Sequence, residues 1–418
     1  MKRRLLLIIV LLLVSVTLSA QTYDIVVAKD GSGDYTTIQA AVDACPDNER
    51  KVIFIKPGLY EEKVMIGSHS KASSQIISLT GEDPQQVVIT WDDYNGKSIV
   101  YDGKGVTSGT PQSATMTINA SDFYAENITF QNTYTGKQAV ALYNAGDRQV
   151  FKNCRITGYQ DTHYLKKGRR SYFYNCYIEG GTDYICAGGT AVFDNCTLHS
   201  LRNGSYITAA EDITAYTSAN GKRYYYGFIF RNCTLISSAG IEVFLGRPWQ
   251  ETSSSVFIGC KMQNIKPEGW SVWQGNNNHL SAFFAEYQSL DSSGNLLDVS
   301  NRVSWSYQLS AEEVETYYTN GKIYSFGTGV FDPIAVISSM GMETSYVARD
   351  KIKIQDNILY LPENKKCRLY SIAGLLQSTT FGQKQVNLSS KLPGIYVVEL
   401  TTSDGRIMTD KIVRTIQN

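Results

Sequence analysis

The sequence of 418 residues contains few histidines and no excess of charge of either sign. None of its 4 histidines stands at the spacing of a metal-ligand motif. Lysine and arginine together number 39, as do aspartate and glutamate, so no overall field favours nucleic acid or an anionic membrane as a partner. A Gly-x-Ser-x-Gly elbow is also missing, which argues against a serine hydrolase of that design. We therefore expect an activity that needs neither a metal ion nor another cofactor.

One apolar run stands at the N-terminus, where Leu5 to Val16 follows three basic residues at positions 2–4. The run is too short to span a bilayer comfortably, and Leu18-Ser19-Ala20 supplies a cleavage site. This pattern predicts a signal peptide at residues 1–20. The mature protein is then secreted, displayed at the cell surface or periplasmic.

The eight cysteines of an exported protein would ordinarily suggest disulfides. Five of them, however, occupy one position in a recurring segment that reads Phe, any residue, Asn or Gly, Cys, any residue, aliphatic. In a strand these cysteines alternate in phase with the flanking apolar residues and point inward. We predict an internal ladder of free thiols, since free cysteine behaves as a small buried hydrophobe.

The five segments begin at residues 151, 173, 193, 230 and 257. Recurrence at about 20–40 residues is typical of stacked-repeat folds in which each repeat forms one coil. The 34 glycines and 28 tyrosines suit a turn-rich β protein. The sequence thus predicts an all-β protein, a right-handed parallel β-helix, with an amphipathic helix at Tyr35–Ala44 closing one end.

The β-helix is expected to span residues 21–338, followed by a linker at 339–350. Short alternating strands then occur at Leu369–Leu376, Leu392–Leu400 and Arg406–Val413, with turn residues between them. They predict a small β-sandwich at residues 351–418, which holds no cluster of titratable groups that looks catalytic.

Two pairs of polar residues share the spacing of neighbouring coils, 22 residues: Gln138 with Gln160, and Asp161 with Asp183. Residues one coil apart lie about 4.8 Å from each other along the stack. Two carboxyl groups are therefore expected beside two amides. The alternative interpretation is a structural ladder of polar side chains that satisfies loop amides.

Seven blocks follow one another in the order Gly58–Glu62, Gln138–Leu142, Gly158–Thr162, Gly180–Ile185, Leu245–Trp249, Pro267–Trp270 and Arg302–Trp305. In content and order they resemble the motifs of pectin methylesterases, the β-helical carbohydrate esterases, across residues 23–335. The resemblance implies an enzyme that removes methyl esters from galacturonosyl units of pectin. Its partner would be methylated homogalacturonan, with no nucleic acid involved, and it would act as a monomer.

Residue roles carry over from the resemblance by position. Asp183 matches the nucleophile, Asp161 the acid that protonates the leaving methanol, and Arg247 the residue that orients the nucleophile. Gln138 and Gln160 match the amides that stabilise the oxyanion.

Substrate contacts are less closely matched. Trp249 corresponds to a wall of the sugar subsite, and Thr110 to a substrate-contacting threonine. Tyr164 and Tyr184 stand near the carboxylates in sequence and are candidates to stack on sugar rings. Trp270 and Trp273 fit the core or the site equally well.

The chemistry of these side chains agrees with that assignment. A carboxylate nucleophile divides ester hydrolysis into two easier steps through a covalent acyl intermediate. A like charge one coil away, together with burial, raises the pKa of one carboxyl, and Arg247 favours the ionised form of the other. Amide donors then stabilise the developing oxyanion.

Other interpretations remain open at the level of sequence. A pectate lyase or a galacturonidase could share the fold, and so could a protein that binds pectin without catalysis. His163 stands two residues after Asp161, where strand alternation would place it on the same face and let it shift the pKa of the acid. Arg169 and Arg170 are interpreted as solvated turn charges.

The chain departs from the family pattern after the nucleophile, where an aromatic and a glycine are replaced by Cys186 and Ala187. The change leaves the catalytic set intact and puts the subsite preference in question. A longer loop at residues 212–223 stands beside the site. The C-terminal module resembles the sorting domains of Bacteroidetes secretion systems, which implies that secretion machinery addresses or anchors the protein through it.

Overall fold

The computed structural model describes residues 23–67, 74–101, 103–213, 215–217, 223–340, 353–355, 358–361, 364–371, 376–388, 394–402 and 407–414. The predicted signal peptide lies outside these residues, as does most of the predicted linker. Within the described ranges, no helix is both long enough and apolar enough to cross a membrane.

Three parallel sheets form the body of the molecule. Sheet 1 has the strands Ile25–Val27, Arg50–Ile55, Ile76–Gly81, Tyr124–Glu126, Gln149–Lys152, Arg170–Tyr174, Thr190–Asp194, Phe228–Arg231, Ser254–Ile258, Phe283–Tyr287 and Tyr307–Gln308. Sheet 2 has Gly58–Glu61, Val87–Trp91, Thr129–Asn132, Arg155–Thr157, Tyr177–Gly180, Thr197–Ser200, Thr234–Ser237 and Lys261–Met262. Sheet 3 has Val64–Ile66, Met116–Ile118, Leu142–Asn144, His163–Leu165, Ile185–Ala187, Tyr206–Ala210 and Phe244–Pro248.

A complete coil contributes one strand to each sheet, and successive coils pair in parallel register. Phe151, for example, pairs with Phe173, which pairs with Phe193. The inward-facing rings stack at centroid distances of 4.8 Å along this series, at the optimum separation for dispersion contact. The parallel β-helix predicted from the repeat is confirmed.

The recurring Asn–Cys pair forms the turn between sheets 1 and 2. Asn153, Asn175 and Asn232 all have φ 52°, in the left-handed region that asparagine tolerates better than most residues, and Gly259 takes this position at φ 62°. The cysteine that follows points into the stack, and in four of the five segments its thiol donates to the phenylalanine carbonyl of the preceding coil. All eight cysteines are free and buried, as the ladder of thiols predicted.

Helices cover one end and one face of the stack. In the described part of the chain they are Ile38–Asp43, Ala311–Tyr317, Asn320–Ile323 and Pro333–Met340, with short 3-10 helices at Pro111–Ser113 and Asn278–Leu280. The first helix lies where the end cap is predicted and buries its apolar residues in the main core. Residues 309–340, here named the covering segment, pack on the outer face of sheet 1. Two-stranded hairpins occur at Ser98–Tyr101 with Lys104–Thr107 and at Ala215–Thr217 with Arg223–Tyr225.

Buried arginines fasten the covering segment to sheet 1. Arg170 is fully buried and forms a bidentate pair with Asp147 at 3.0 and 2.6 Å. Its remaining donors reach carbonyl oxygens of the covering segment, including those of Phe326 and Thr328 at 2.8 Å. The interpretation of Arg170 as a solvated turn charge is therefore wrong, because its side chain runs under a later segment. Arg169 is exposed as expected.

Two antiparallel sheets follow in the C-terminal region: Lys353–Gln355, Ile358–Tyr360 and Gln385–Asn387 in one, and Asn364–Ser371, Leu376–Thr380, Gly394–Thr402 and Ile407–Arg414 in the other. Buried residues of both sheets, among them Leu359 and Val398, form one apolar cluster. The region contacts sheet 1 through the hydroxyl of Tyr174, which donates to Glu399 at 2.8 Å.

Candidate active site

The two aspartates occupy equivalent turns on neighbouring coils, just before strands of sheet 3. Gln160 pairs with Gln138 on one side and with Thr182 on the other, which sets Asp161 beside Asp183. Both aspartates take left-handed backbone conformations, with φ 59° and 50°. Asp183 is 4% exposed and Asp161 is half-buried. The coil spacing therefore brings the two carboxyl groups and the two glutamines together.

The left-handed turn at Asp161 breaks the alternation of side chains along the strand. His163 consequently points into the core, where its ring lies edge-on to Phe173 and its Nε2 lies 2.7 Å from the Asn144 side-chain oxygen. Burial lowers the pKa of His163 to about 3, so the imidazole is neutral. The expectation that His163 faces Asp161 and tunes it is wrong for this reason.

Tyr184, directly after Asp183, also points inward. Its side chain is fully buried in the main core, and its hydroxyl lies 3.0 Å from the Ser200 hydroxyl. A residue in that position cannot touch a substrate in an outer groove. The prediction that Tyr184 binds substrate is therefore wrong, because nearness to the aspartates in sequence does not place a side chain on their face of the sheet.

An outward-facing column of sheet 3 runs beside the aspartates. Strand register aligns its members one coil apart: Thr117, Tyr143, Tyr164, Cys186, Ala209 and Arg247. The rings of Tyr143 and Tyr164 meet edge to face at 5.4 Å, and Tyr164 is partly exposed. Cys186 lies between Tyr164 and Ala209, and the small side chains of Cys186 and Ala209 are only 2% and 3% exposed. Tyr164 is thus placed where a sugar ring could lie.

Arg247 holds Asp183 in a fixed orientation. Its Nε and Nη2 donate to the two carboxylate oxygens at 3.0 and 2.5 Å. The guanidinium group lies between the rings of Tyr206 and Trp273, 4.1 Å from each centroid, and this cation–π sandwich restricts its motion. Trp273 in turn stacks with Trp249 at 6.3 Å, so the predicted subsite wall adjoins the catalytic arginine.

Tyr206 and Trp273 belong to the site although sequence reasoning did not assign them to it. Tyr206 lies one coil after Asp183, at a distance of 23 residues, so the spacing of 22 that paired the aspartates points to its neighbour Ser205 and only approximately to Tyr206. Trp273 lies at the site, whereas Trp270 is 1% exposed and packs against Phe284 in the core. Sequence alone could not separate these two tryptophans.

Asn95 links the loop around Thr110 to one of the glutamines. Its side-chain amide lies 3.4 Å from Gln138 Oε1 and 3.3 Å from Thr110 Oγ1, and its backbone N–H donates to the Gln138 carbonyl at 2.9 Å. An acceptor engaged in this way leaves the NH₂ of Gln138 available to a ligand. Asn95 was missed because it stands in a loop outside the repeat, with no motif to mark it.

The two carboxyl groups differ in their electrostatic surroundings. The pKa of Asp161 is raised to about 8 by burial and, to a smaller extent, by the charge of Asp183, while Arg247 acts against both effects. Burial also raises the pKa of Asp183, but hydrogen bonds and charge from Arg247 act against this rise. Asp161 therefore keeps its proton at neutral pH, while the adjacent arginine favours the ionised form of Asp183.

Comparison with known proteins decides the family. The pectinesterase family model matches residues 24–325. This chain is a pectinesterase-family protein. Pectinesterase 31 of Arabidopsis thaliana is 32% identical over 336 residues, covering 79% of this chain and 100% of that protein.

Solved pectin methylesterases share the fold with this family member. The enzyme from carrot is 28% identical with a TM-score of 0.61, covering 75% of this chain and 99% of its own. A pectin methylesterase in complex with a hexasaccharide is 30% identical with a TM-score of 0.60, again covering 75% of this chain and 100% of its own. The resemblance and the fold class predicted from sequence are confirmed.

This pectinesterase-family chain carries a strained residue where the sequence departs from its relatives. Ala187 has φ 78°, in the left-handed region, and is 1% exposed. A glycine would adopt this conformation without a steric penalty from Cβ. Ala187 pairs with Leu165 on one side and with Ala210 on the other, so the residue is part of sheet 3.

Proposed function

We propose that this protein hydrolyses the methyl esters of galacturonosyl units in pectin, releasing methanol and leaving de-esterified polygalacturonate. The observation that carries the proposal is the carboxylate of Asp183, clamped by Arg247 beside the protonated Asp161. Membership of the pectinesterase family and a relative solved with a hexasaccharide support it.

In the first half of the reaction, a carboxylate oxygen of Asp183 attacks the ester carbonyl carbon. The NH₂ groups of Gln138 and Gln160 donate to the oxyanion that forms, a contribution of about 3–4 kcal/mol for a well-placed donor. Asp161 gives its proton to the methoxy oxygen as the bond to carbon breaks. Methanol leaves, and an acyl anhydride on Asp183 remains.

In the second half, Asp161 is ionised and Asp183 carries the acyl group without a charge. Asp161 is now a carboxylate and takes a proton from a water molecule as that water attacks the acyl carbon. The bond to Asp183 breaks, the new galacturonic acid carboxyl group loses its proton to solvent as it is released, and both aspartates return to their starting forms. Arg247 stabilises the Asp183 carboxylate at the start and at the end of the cycle.

Aromatic side chains on both sides of the pair form the binding surface in this proposal. Trp249 and Trp273 supply one wall, and Tyr164 supplies part of the floor. Thr110 and Asn95 border the other side next to Gln138. Large aromatic faces suit the apolar faces of sugar rings.

The test is methanol release from highly methylated pectin by the wild type, Asp161→Asn and Asp183→Asn. We expect both variants to lose activity by at least about a thousandfold, since each removes a reacting group. The same samples are assayed for unsaturated products and new reducing ends, which a lyase or a galacturonidase would generate. The proposal would be overturned if the protein bound pectin and Asp183→Ala behaved like the wild type in binding and in methanol release. Unsaturated products without methanol would also overturn it.

We also propose that the protein is exported as a monomer and that residues 351–418 act as an address or anchor recognised by secretion machinery. The N-terminal apolar run and the separate apolar cluster of the C-terminal sheets support this proposal. Fractionation of cells that produce the chain with and without residues 351–418 tests it. Equal distribution of the two forms contradicts the addressing role, and retention of residues 1–20 in the exported product contradicts cleavage.

A further inference from the structure

Glu211 lies on the same surface as the predicted subsite wall. Its N–H donates to the Ala187 carbonyl at 2.9 Å, and Trp249 N–H donates to the Ala210 carbonyl at 2.9 Å. Glu211 and Trp249 therefore occupy equivalent positions on neighbouring coils, just after strands of sheet 3. The equivalent position one coil earlier is Gly188, where a Cβ would lie 3.4 Å from the Glu211 Cβ.

The position of Glu211 is close to Cys186 in sheet 3, since Glu211 directly follows Ala210, which pairs with Ala187. After burial, the charges that raise the pKa of the Cys186 thiol are those of Asp161, Asp183 and Glu211, which places all three carboxyl groups around that side chain. Gly188 has no side chain that could cover Glu211 from the preceding coil. A chain lying across Tyr164 and Trp249 would therefore pass Glu211.

The carboxylate of Glu211 is not neutralised within the site. Among the described residues, none forms a hydrogen bond or an ion pair with it, and it is partly exposed. Lys167 acts on it through space, but this lysine also lies 3.9 Å from Asp212, the residue next to Glu211. The local balance within the described structure is thus two carboxylates, Glu211 and Asp212, to one ammonium group. An uncompensated charge beside a binding surface can discriminate between ligands by repelling those of like charge.

We propose that Glu211 makes the groove discriminate against free galacturonate units and in favour of methyl-esterified units. The inference rests on the proposed function, because the hydrolysis itself converts a neutral ester into a carboxylate in the reactive position. The new carboxylate is repelled by Glu211, whereas the neutral ester is not. Glu211 thus weakens the binding of product and of stretches that are already de-esterified.

The experiment measures inhibition of methanol release by fully de-esterified polygalacturonate, with highly methylated pectin as substrate at neutral pH. Glu211→Gln keeps the shape of the side chain and removes its charge, and Glu211→Lys reverses the charge. We expect the inhibition constant to fall about fivefold in the first variant and further in the second. The differences should shrink at high salt, since exposed charges are screened. Glu312→Gln, an exposed residue on the covering segment, is the matched control and should leave inhibition unchanged.

The outcomes separate this inference from the proposed function. If the wild type releases methanol and Glu211→Gln shows the wild-type inhibition constant at low salt, the role of Glu211 is refuted and the esterase activity stands. An equal shift in Glu312→Gln also refutes it, because net charge alone would then explain the effect. A wild type that releases no methanol refutes the proposed function instead. Thermal unfolding curves establish that each variant is folded. If Glu211→Lys does not fold, the inhibition constant of the isosteric Glu211→Gln alone decides the test.

Discussion

Asp161 and Asp183 have the same side chain and nearly the same backbone conformation, yet among the described residues only Asp183 forms an ion pair. The arginine between Tyr206 and Trp273 has little freedom to turn toward Asp161. Rigid placement of one charge thereby gives the two carboxyl groups different proton affinities, which composition alone could not do.

We predict that kcat/KM falls as pH rises through about 8, because Asp161 then loses the proton that it must donate. At the acid end, activity falls as Asp183 becomes protonated. In Arg247→Gln the burial of Asp183 is no longer opposed, so its pKa rises and the acid limb moves to higher pH. The measurement is a pH profile of methanol release for both proteins. Constant kcat/KM up to pH 10 would exclude Asp161 as the acid.

Ala187 offers a stabilising substitution at the residue scale. Left-handed backbone costs an alanine about 1–2 kcal/mol, and glycine avoids this cost while losing some of the gain to the entropy of the unfolded chain. Ala187→Gly should therefore raise the free energy of unfolding by about 0.5–1 kcal/mol. Ala209→Gly is the control, since Ala209 lies in the next strand without positive φ and should be destabilised by about 1 kcal/mol. Chemical denaturation measures both, and destabilisation by Ala187→Gly would contradict the strain.

At the residue scale, the sequence predicted correctly which residues form the site. It predicted less well which face of the sheet a side chain lies on. The aspartates, the glutamines and Arg247 come together because the coil spacing sets their register. The face of His163 was mistaken because strict alternation was assumed through Asp161, and that of Tyr184 because it was judged by its nearness to the aspartates in sequence. A residue with positive φ reverses that alternation, and aspartate tolerates this conformation without any signal in the sequence.

Among the elements, the strands of the β-helix could be predicted from the sequence, whereas the covering segment could not. Phe and Cys repeat at each coil, so the strands of sheet 1 and the turns that follow them could be located from the sequence. The covering segment depends on contacts of Arg170 and Arg231 with residues more than eighty positions later, as in the Arg231 pair with the Tyr318 carbonyl. No local sequence pattern predicts such a contact.

The buried guanidinium group of Arg170 gives a prediction at the element scale. Arg170→Met leaves Asp147 buried without its main partner and several carbonyls without a donor, so unfolding should become easier by about 3–5 kcal/mol. Arg169→Met, at the exposed neighbouring position, should change the free energy of unfolding by less than about 0.5 kcal/mol. Urea denaturation of the two variants tests the difference. Similar stability of both would show that the covering segment is held without Arg170.

On the scale of the whole molecule, the C-terminal region stands apart from the catalytic apparatus. The carrot enzyme is covered over 99% of its length by 75% of this chain, so a complete enzyme of this fold needs no such region. Tyr174 and Glu399 join the region to sheet 1, whereas the aspartates lie beside sheet 3.

A chain that ends at residue 340 should therefore release methanol at a rate within about twofold of the full chain, as expected for separable domains. Its melting temperature should fall slightly, because Tyr174 loses its acceptor and part of sheet 1 becomes exposed. Glu399→Gln in the full chain serves as the comparison and should leave the rate of methanol release unaltered. A large loss of activity in the shortened chain would show that the region supports the groove.

The thiols inside the stack make each coil individually observable. One cysteine marks each of five coils, at residues 154, 176, 196, 233 and 260, and all five are sealed from solvent in the folded chain. An alkylating reagent can reach a given sulfur only while that coil is open, so the order of labelling along the chain records where the solenoid frays. The five buried cysteines are thus natural probes of local opening along the axis of the β-helix. No engineered probe is needed to time its unfolding from end to end.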